Sequence, residues 1–364
     1  MTPDTMRRAL QQVRSGRLAD ATTLIQTTLT RHGLIGADPG ATNEGRVDPV
    51  MLSPPPMRHE PVLPRAPRRA PLFPTGDFAV GGHSNGRERF SSAAGSREFV
   101  LHLPKNCASP PRGLVLMLHG CTQTPEDFAT GTGLNAVAEA AGLITVWPAQ
   151  SRGNNAQSCW NWFSGADQHE GRGEPAILAE LVRDVAARHH VPDDALFVAG
   201  LSAGAAMAVI LGQTYPQIFA AVGAHSGLPY GCARGMGEAF AAMSDHSGVR
   251  RARTPGKPVR TIVFHGAADA TVAPANGLRI FDDALSASGK KAGIVEDGSA
   301  SGRQYRRTTT RGPQGRVFAE HWQIDGLGHA WSGGNPQGSY ADAKGPDASA
   351  EIIRFFLSRN EDGA

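Results

Sequence analysis

Cysteine, aromatic residues and net charge are all scarce in this chain. Four cysteines in 364 residues are too few to build a fold from disulfides. Lys and Arg number 36 against 33 Asp and Glu, so the formal charge is +3, too near balance to argue for a nucleic-acid surface. No apolar run of about 18 residues occurs, so no membrane span is expected. The first residues, MTPDTMRRALQQVRSGRL, scatter their arginines and contain no apolar core of about 7 to 15 residues, so no secretory leader is read there. A cytoplasmic protein is the default expectation. A 40% hydrophobic and 19% charged composition does predict a buried core.

Three regions follow one another. Residues 1–33 are expected to form a helical hairpin broken at Ser15-Gly16, with Leu18, Ala21, Leu24, Ile25 and Leu29 at helical spacing. Residues 34–76 hold ten prolines without periodicity and read as a Pro-rich linker. Residues 1–75 carry 10 − 6 = +4, against 26 − 27 = −1 for the remainder. A solvated tail is the plainer reading of that basic segment, and contact with an anionic surface or partner the alternative. Residues 77–364 alternate apolar strands with amphipathic helices, the pattern of an α/β domain with a mostly parallel sheet covered on both faces. Strands are expected at 97–103, 113–118, 143–148, 195–199, 220–224, 261–264 and 318–324, with an antiparallel hairpin pairing 303–310 with 316–323. Helices are expected near 134–141, 176–190, 203–214, 278–288 and 349–358.

The chemistry concentrates where strands end. An apolar strand runs into Gly200-Leu201-Ser202-Ala203-Gly204 and then a small-residue helix, which is GxSxG at a strand-to-helix turn and makes Ser202 the candidate nucleophile. A serine hydroxyl needs a base and a carboxylate to orient that base. In the chain order Ser, acid, His, Asp269 follows the apolar run 261–264, and His329 lies on a Gly-rich loop after the last strand. Asp325 is the weaker rival acid, and His119, His225 and His265 read as histidines satisfied by backbone. Two donors must meet the oxyanion. Ala203 N–H is one candidate and Cys121 N–H, in the turn after strand 113–118, the other, with Thr122 as fallback.

LHGCTQT at 118–124, CWNWF at 159–163, GLSAGAAMA at 200–208, HGAADATV at 265–272 and GLGHAWSGG at 326–334 together resemble the esterases related to short-chain polyhydroxyalkanoate (PHB) depolymerases and to feruloyl and acetylxylan esterases. The resemblance covers residues 77–358 and leaves out the first 75. It implies an α/β-hydrolase fold, no metal or organic cofactor, and catalytic roles for Ser202, Asp269 and His329. It also puts Cys121 and Cys159 in motifs beside the site, either as a disulfide or as two reduced, packed thiols. Secreted members of the family carry a leader and a polymer-binding domain, which makes an extracellular location the alternative expectation. Neither is read in this chain, so soluble oligomers or small esters are expected in place of crystalline polymer.

Trp160, Trp162 and Trp331 flank these motifs and are expected to wall an acyl or aryl pocket. Residues 228–258 could cover the cleft, with Tyr230 and Met236 facing substrate. The leading expectation is a serine esterase acting on short hydroxyalkanoate esters or oligomers. Alternatives are a feruloyl or acetylxylan esterase and, in another class, an inert hydrolase fold that only binds.

Overall fold

The computed structural model describes residues 87–105, 110–245, 258–290, 293–312 and 315–358. The expected hairpin over 1–33, the linker over 34–76 and Cys107 lie outside them. In chain order the described elements begin with β1 (Arg87–Ser92), β2 (Gly95–His102), β3 (Gly113–Leu118), α1 (Pro125–Thr132), α2 (Leu134–Ala141) and β4 (Leu143–Pro148). The middle holds α3 (Gly173–Arg188), β5 (Leu196–Leu201), α4 (Ala203–Thr214), β6 (Ala221–His225), α5 (Met236–Met243) and β7 (Arg260–Gly266). The last part holds α6 (Ala275–Ser288), β8 (Ile294–Ala300), β9 (Arg303–Arg311), β10 (Val317–Ile324), the short β11 (Trp331–Ser332) and β12 (Ala341–Asp342), and α7 (Ala348–Leu357).

Ten strands form one sheet in the order β1-β2-β4-β3-β5-β6-β7-β10-β9-β8. From β4 to β10 the pairs are parallel, and the strands beyond them at either edge are antiparallel. The parallel strands β3 to β7 are apolar almost throughout, and every residue in them is buried. This follows from position, because a central parallel strand has a helical layer over each face and no side facing water. Successive side chains divide between two cores. Leu114, Leu116 and Leu118 pack with residues of α3, α4 and α6, while Val115 and Met117 pack with residues of α2 and α7. The fold is an α/β hydrolase, and its strand carboxyl ends are the edge where the motif loops gather.

Observed boundaries differ from the expected ones mainly by strands running further. β5 continues to Leu201 because Gly200 still pairs with Leu118 and Leu201 with His225. Six of the described elements fall outside the expectations: β1, α1, α5, β8 and the short β11 and β12. α5 lies within the segment expected to be a cover; residues 246–257 of that segment are outside the described residues.

Candidate active site

Ser202 stands between β5 and α4 with φ 56° and ψ −120°. A left-handed backbone at a non-glycine residue costs on the order of 1–3 kcal/mol and persists only where the surroundings impose it. Here they do. A Cβ at Gly200 would come within 2.6 Å of Leu118 O, and one at Gly204 within 2.0 Å of the same oxygen, so β3, β5 and α4 close together only on glycine. Ser202 N–H donates to His225 O at 2.9 Å, which ties the elbow to the end of β6. The next amide, Ala203 N–H, opens α4 and has no acceptor among the described residues.

Asp269 follows β7 and His329 follows β10, neighbouring parallel strands, so both loops leave the same edge of the sheet. Asp269 Oδ2 lies 2.8 Å from His329 Nδ1. Its Oδ1 accepts from Thr271 N and Val272 N, both at 2.9 Å. His265 Nε2, which donates to Val272 O at 2.9 Å, is a further 3.5 Å neighbour of Oδ2. Burial opposes the charge of Asp269, but hydrogen bonds from His265, His329 and the Val272 amide outweigh it and hold the carboxyl far below the ordinary carboxylate range. An ionised carboxylate only accepts, so His329 Nδ1 carries the proton in this bond and donates it to Asp269. Asp325 takes no part in this pair: its amide donates to Gln304 O and its carbonyl accepts from Arg303.

The loop after β3 supplies the facing side. A Cβ at Gly120 would lie 3.7 Å from Ser202 Cβ, so this loop passes directly over the elbow. Gly120 O lies 2.8 Å from His119 Nδ1, and His119 Nε2 accepts from Gln150 N at 3.1 Å. Burial pushes His119 down to about 4, so the ring is neutral with its proton on Nδ1, donating to Gly120 O. In the trans peptide that follows, Cys121 N–H points away from that carbonyl. It has no acceptor among the described residues, whereas Thr122 N–H is already given to Gln157 O at 2.8 Å. That bond removes Thr122 as the fallback donor.

Cys121 and Cys159 form a disulfide, and Cys232 is a buried free thiol. Beneath the bridge, Glu174 binds Arg97 at 2.9 Å, Asn161 N at 2.7 Å and Asn161 Nδ2 at 3.0 Å, and also accepts from Gln150 Nε2. A buried carboxyl group bonded from Arg97, Gln150 and Asn161 together anchors the 150–161 loop that carries Cys159.

The expected aromatic wall is corrected by burial. Trp160, Trp162 and Trp331 are 0%, 6% and 1% exposed. Trp160 Nε1 donates to His119 O, and Trp331 Nε1 to Ser349 Oγ, while the Trp331 ring stacks on His225 at 5.1 Å. Trp160 and Trp331 are thus held in the interior by these bonds, and Trp162 is buried as well, so none of the three presents an open face. Tyr230 is also displaced from the expected role. Its hydroxyl donates to Gln168 O, and its ring lines a hollow with Val209, Val222 and Thr261, toward the amino ends of β6 and β7. Val209 is two turns along α4 from Ser202, about 10 Å. Met236 is exposed on α5. Tyr340, to which no sequence signal drew attention, sits edge-on to His329 with ring centres 6.3 Å apart. Its only cue was a place between the expected last strand, 318–324, and the expected last helix, 349–358.

His225 is satisfied internally, whereas His265 uses only Nε2 and its buried Nδ1 has no hydrogen-bond partner among the described residues. His225 Nε2 accepts from Ser332 N at 3.1 Å, which holds the His329 loop against β6, and His265 meets Val272 O and Asp269. Among the described residues no group of three His, Cys, Asp or Glu side chains is arranged to hold a metal ion. None of the described helices is long and apolar enough to cross a membrane.

Comparison with known proteins agrees with this architecture. Poly(3-hydroxyalkanoate) depolymerase C of Paucimonas lemoignei is 31% identical over 256 residues, 66% of this chain and 60% of that protein. Acetylxylan esterase A of Talaromyces purpureogenus is 28% identical over 204 residues, 51% of this chain and 52% of that one. The chain therefore spans between half and two thirds of the length of these relatives. The solved acetyl xylan esterase from Aspergillus awamori superposes with a TM-score of 0.56 at 20% identity, over 74% of this chain and 98% of that one, a likeness of fold. The profile of one family, described as Esterase PHB depolymerase, matches residues 97–301, and the chain belongs to that family.

Proposed function

We propose that the chain is a serine esterase. The observation that carries this reading is the 2.8 Å bond from His329 Nδ1 to a buried, ionised Asp269, at the sheet edge that also presents the strained Ser202. Nε2 of His329 takes the Ser202 proton as Oγ adds to the ester carbonyl. The amides of Ala203 and Cys121 bind the oxyanion. Asp269 holds the imidazole in its tautomer and stabilises the imidazolium. His329 then protonates the departing alkoxide, leaving an acyl group on Ser202, and water deacylates the enzyme by the same steps.

Short hydroxyalkanoate esters or oligomers are the proposed substrates, in keeping with the depolymerase relative. An acetylated or feruloylated sugar is the second reading, favoured by the acetylxylan esterase relatives. The Cys121–Cys159 bridge suits an oxidising compartment better than the cytoplasm and supports the extracellular alternative.

Wild-type protein is expected to hydrolyse p-nitrophenyl butyrate, and Ser202→Ala to lose at least about a thousandfold in kcat while keeping its circular dichroism spectrum. Equal rates for the two proteins would leave the inert binding fold as the better account. Relative kcat/KM on hydroxybutyrate oligomers, methyl ferulate and acetylated xylan fragments decides between the substrate readings.

A further inference from the structure

We propose that Tyr340 walls the subsite for the alcohol portion of the ester and favours a flat aryl or apolar group there, an inference that rests on the esterase reading. Three observations meet at this residue. The first is its place. His329 must bring Nε2 within hydrogen-bond reach of the departing oxygen, so the group on that oxygen lies alongside the imidazole. The acyl carbonyl oxygen turns the other way, to Cys121 and Ala203. Tyr340 is the ring beside the imidazole, at 6.3 Å and 80°.

The second is exposure. Every tryptophan among the motif loops is buried, whereas Tyr340 is 46% exposed and has a face to offer. The third is the way its backbone is held. Tyr340 has φ 51°, a conformation that a tyrosine keeps only under constraint. Its carbonyl accepts from Trp331 N at 2.7 Å, two residues past His329. The preceding Ser339 is fixed from Gln123 and from Asp127 in the first turn of α1. Its amide donates to Asp127 Oδ1 at 2.9 Å, its hydroxyl also bonds Asp127, and its carbonyl accepts from Gln123 Nε2 at 3.0 Å. Gln123 Oε1 in turn accepts from Gly120 N at 2.9 Å. One chain of bonds thus runs from the oxyanion loop to the loop of the base, and Tyr340 sits at its end. Packing alone would be served by a buried ring in a relaxed conformation. A strained, open ring set against the base fits contact with substrate.

The test compares two pairs of esters. Phenyl acetate against methyl acetate varies the alcohol, and methyl butyrate against methyl acetate varies the acyl group. Tyr340→Ala is expected to lower the phenyl-to-methyl ratio of kcat/KM by about fivefold, the scale of one aromatic contact. The butyrate-to-acetate ratio should be unchanged, and Tyr340→Phe should keep the wild-type ratios. Should the alanine variant not fold, Tyr340→Gly, which suits the left-handed backbone, removes the ring and reads the same ratios. An even loss across all esters would show that the ring merely positions His329 and would overturn the inference alone, as would unchanged ratios. A wild type inert toward every ester would overturn the proposed function and this inference with it.

Discussion

At the scale of single residues, the site holds energy at the proposed nucleophile. Ser202 keeps φ 56° under the pressure of Gly200, Gly204 and β3, and alanine there inherits the same strain. Glycine does not. Ser202→Gly is therefore expected to be more stable than Ser202→Ala by about 1 kcal/mol in urea denaturation, with both inactive. Equal midpoints would show that the elbow is relaxed. Candidate chemistry was legible at this scale because Ser202, Asp269 and His329 each follow an apolar strand, in the chain order the mechanism needs. The substrate wall was not. Whether a tryptophan on a loop faces in or out is set by tertiary packing, and Trp160 and Trp331 found buried acceptors in His119 O and Ser349 Oγ. Tyr340 had no periodic neighbour to point to it.

At the scale of elements, the bridge from Cys121 to Cys159 spans 38 residues that contain α1, α2 and β4. Closing a loop of that length in the unfolded chain stabilises the fold by about 4 kcal/mol. Reduction, or Cys159→Ser, is expected to lower the urea midpoint accordingly and to lower kcat more than it raises KM, since Cys121 N–H is the proposed second oxyanion donor. A stability loss with unaltered kinetics would remove that amide from the mechanism. Central strands were legible because GLVLML, LITVWP and LFVAGL are apolar runs that only a doubly covered sheet can bury. Edge strands were not: RERFSS of β1 and IVEDGSA of β8 carry charge and lie largely open to solvent. α1 contains two Thr and a Gly, so propensity argued against it, but its cap was readable. Thr124 accepts from Asp127 N, with Pro125 in the first turn and Gly133 in the left-handed conformation at its end.

Across the whole molecule, buried neutral histidines make folding sensitive to acid. Burial pushes His119 and His321 down to about 4 and His225 to about 3. In the unfolded chain they take up protons near pH 6.5. Between those limits the unfolded state binds more protons, so stability is complete above about pH 6.5 and falls as the pH drops toward 4. Asp269, depressed instead, contributes stability that is lost only below the ordinary carboxylate range, outside that window. The melting temperature is expected to decline steadily from pH 7 to pH 4.5, and a flat profile would show that these rings are reached by water. The bridged loop has one further consequence. Residues 151–154 form an exposed turn between the two bridged cysteines. A protease that nicks this turn leaves both fragments covalently joined, so the cut protein would migrate as a single species until a reductant separates it.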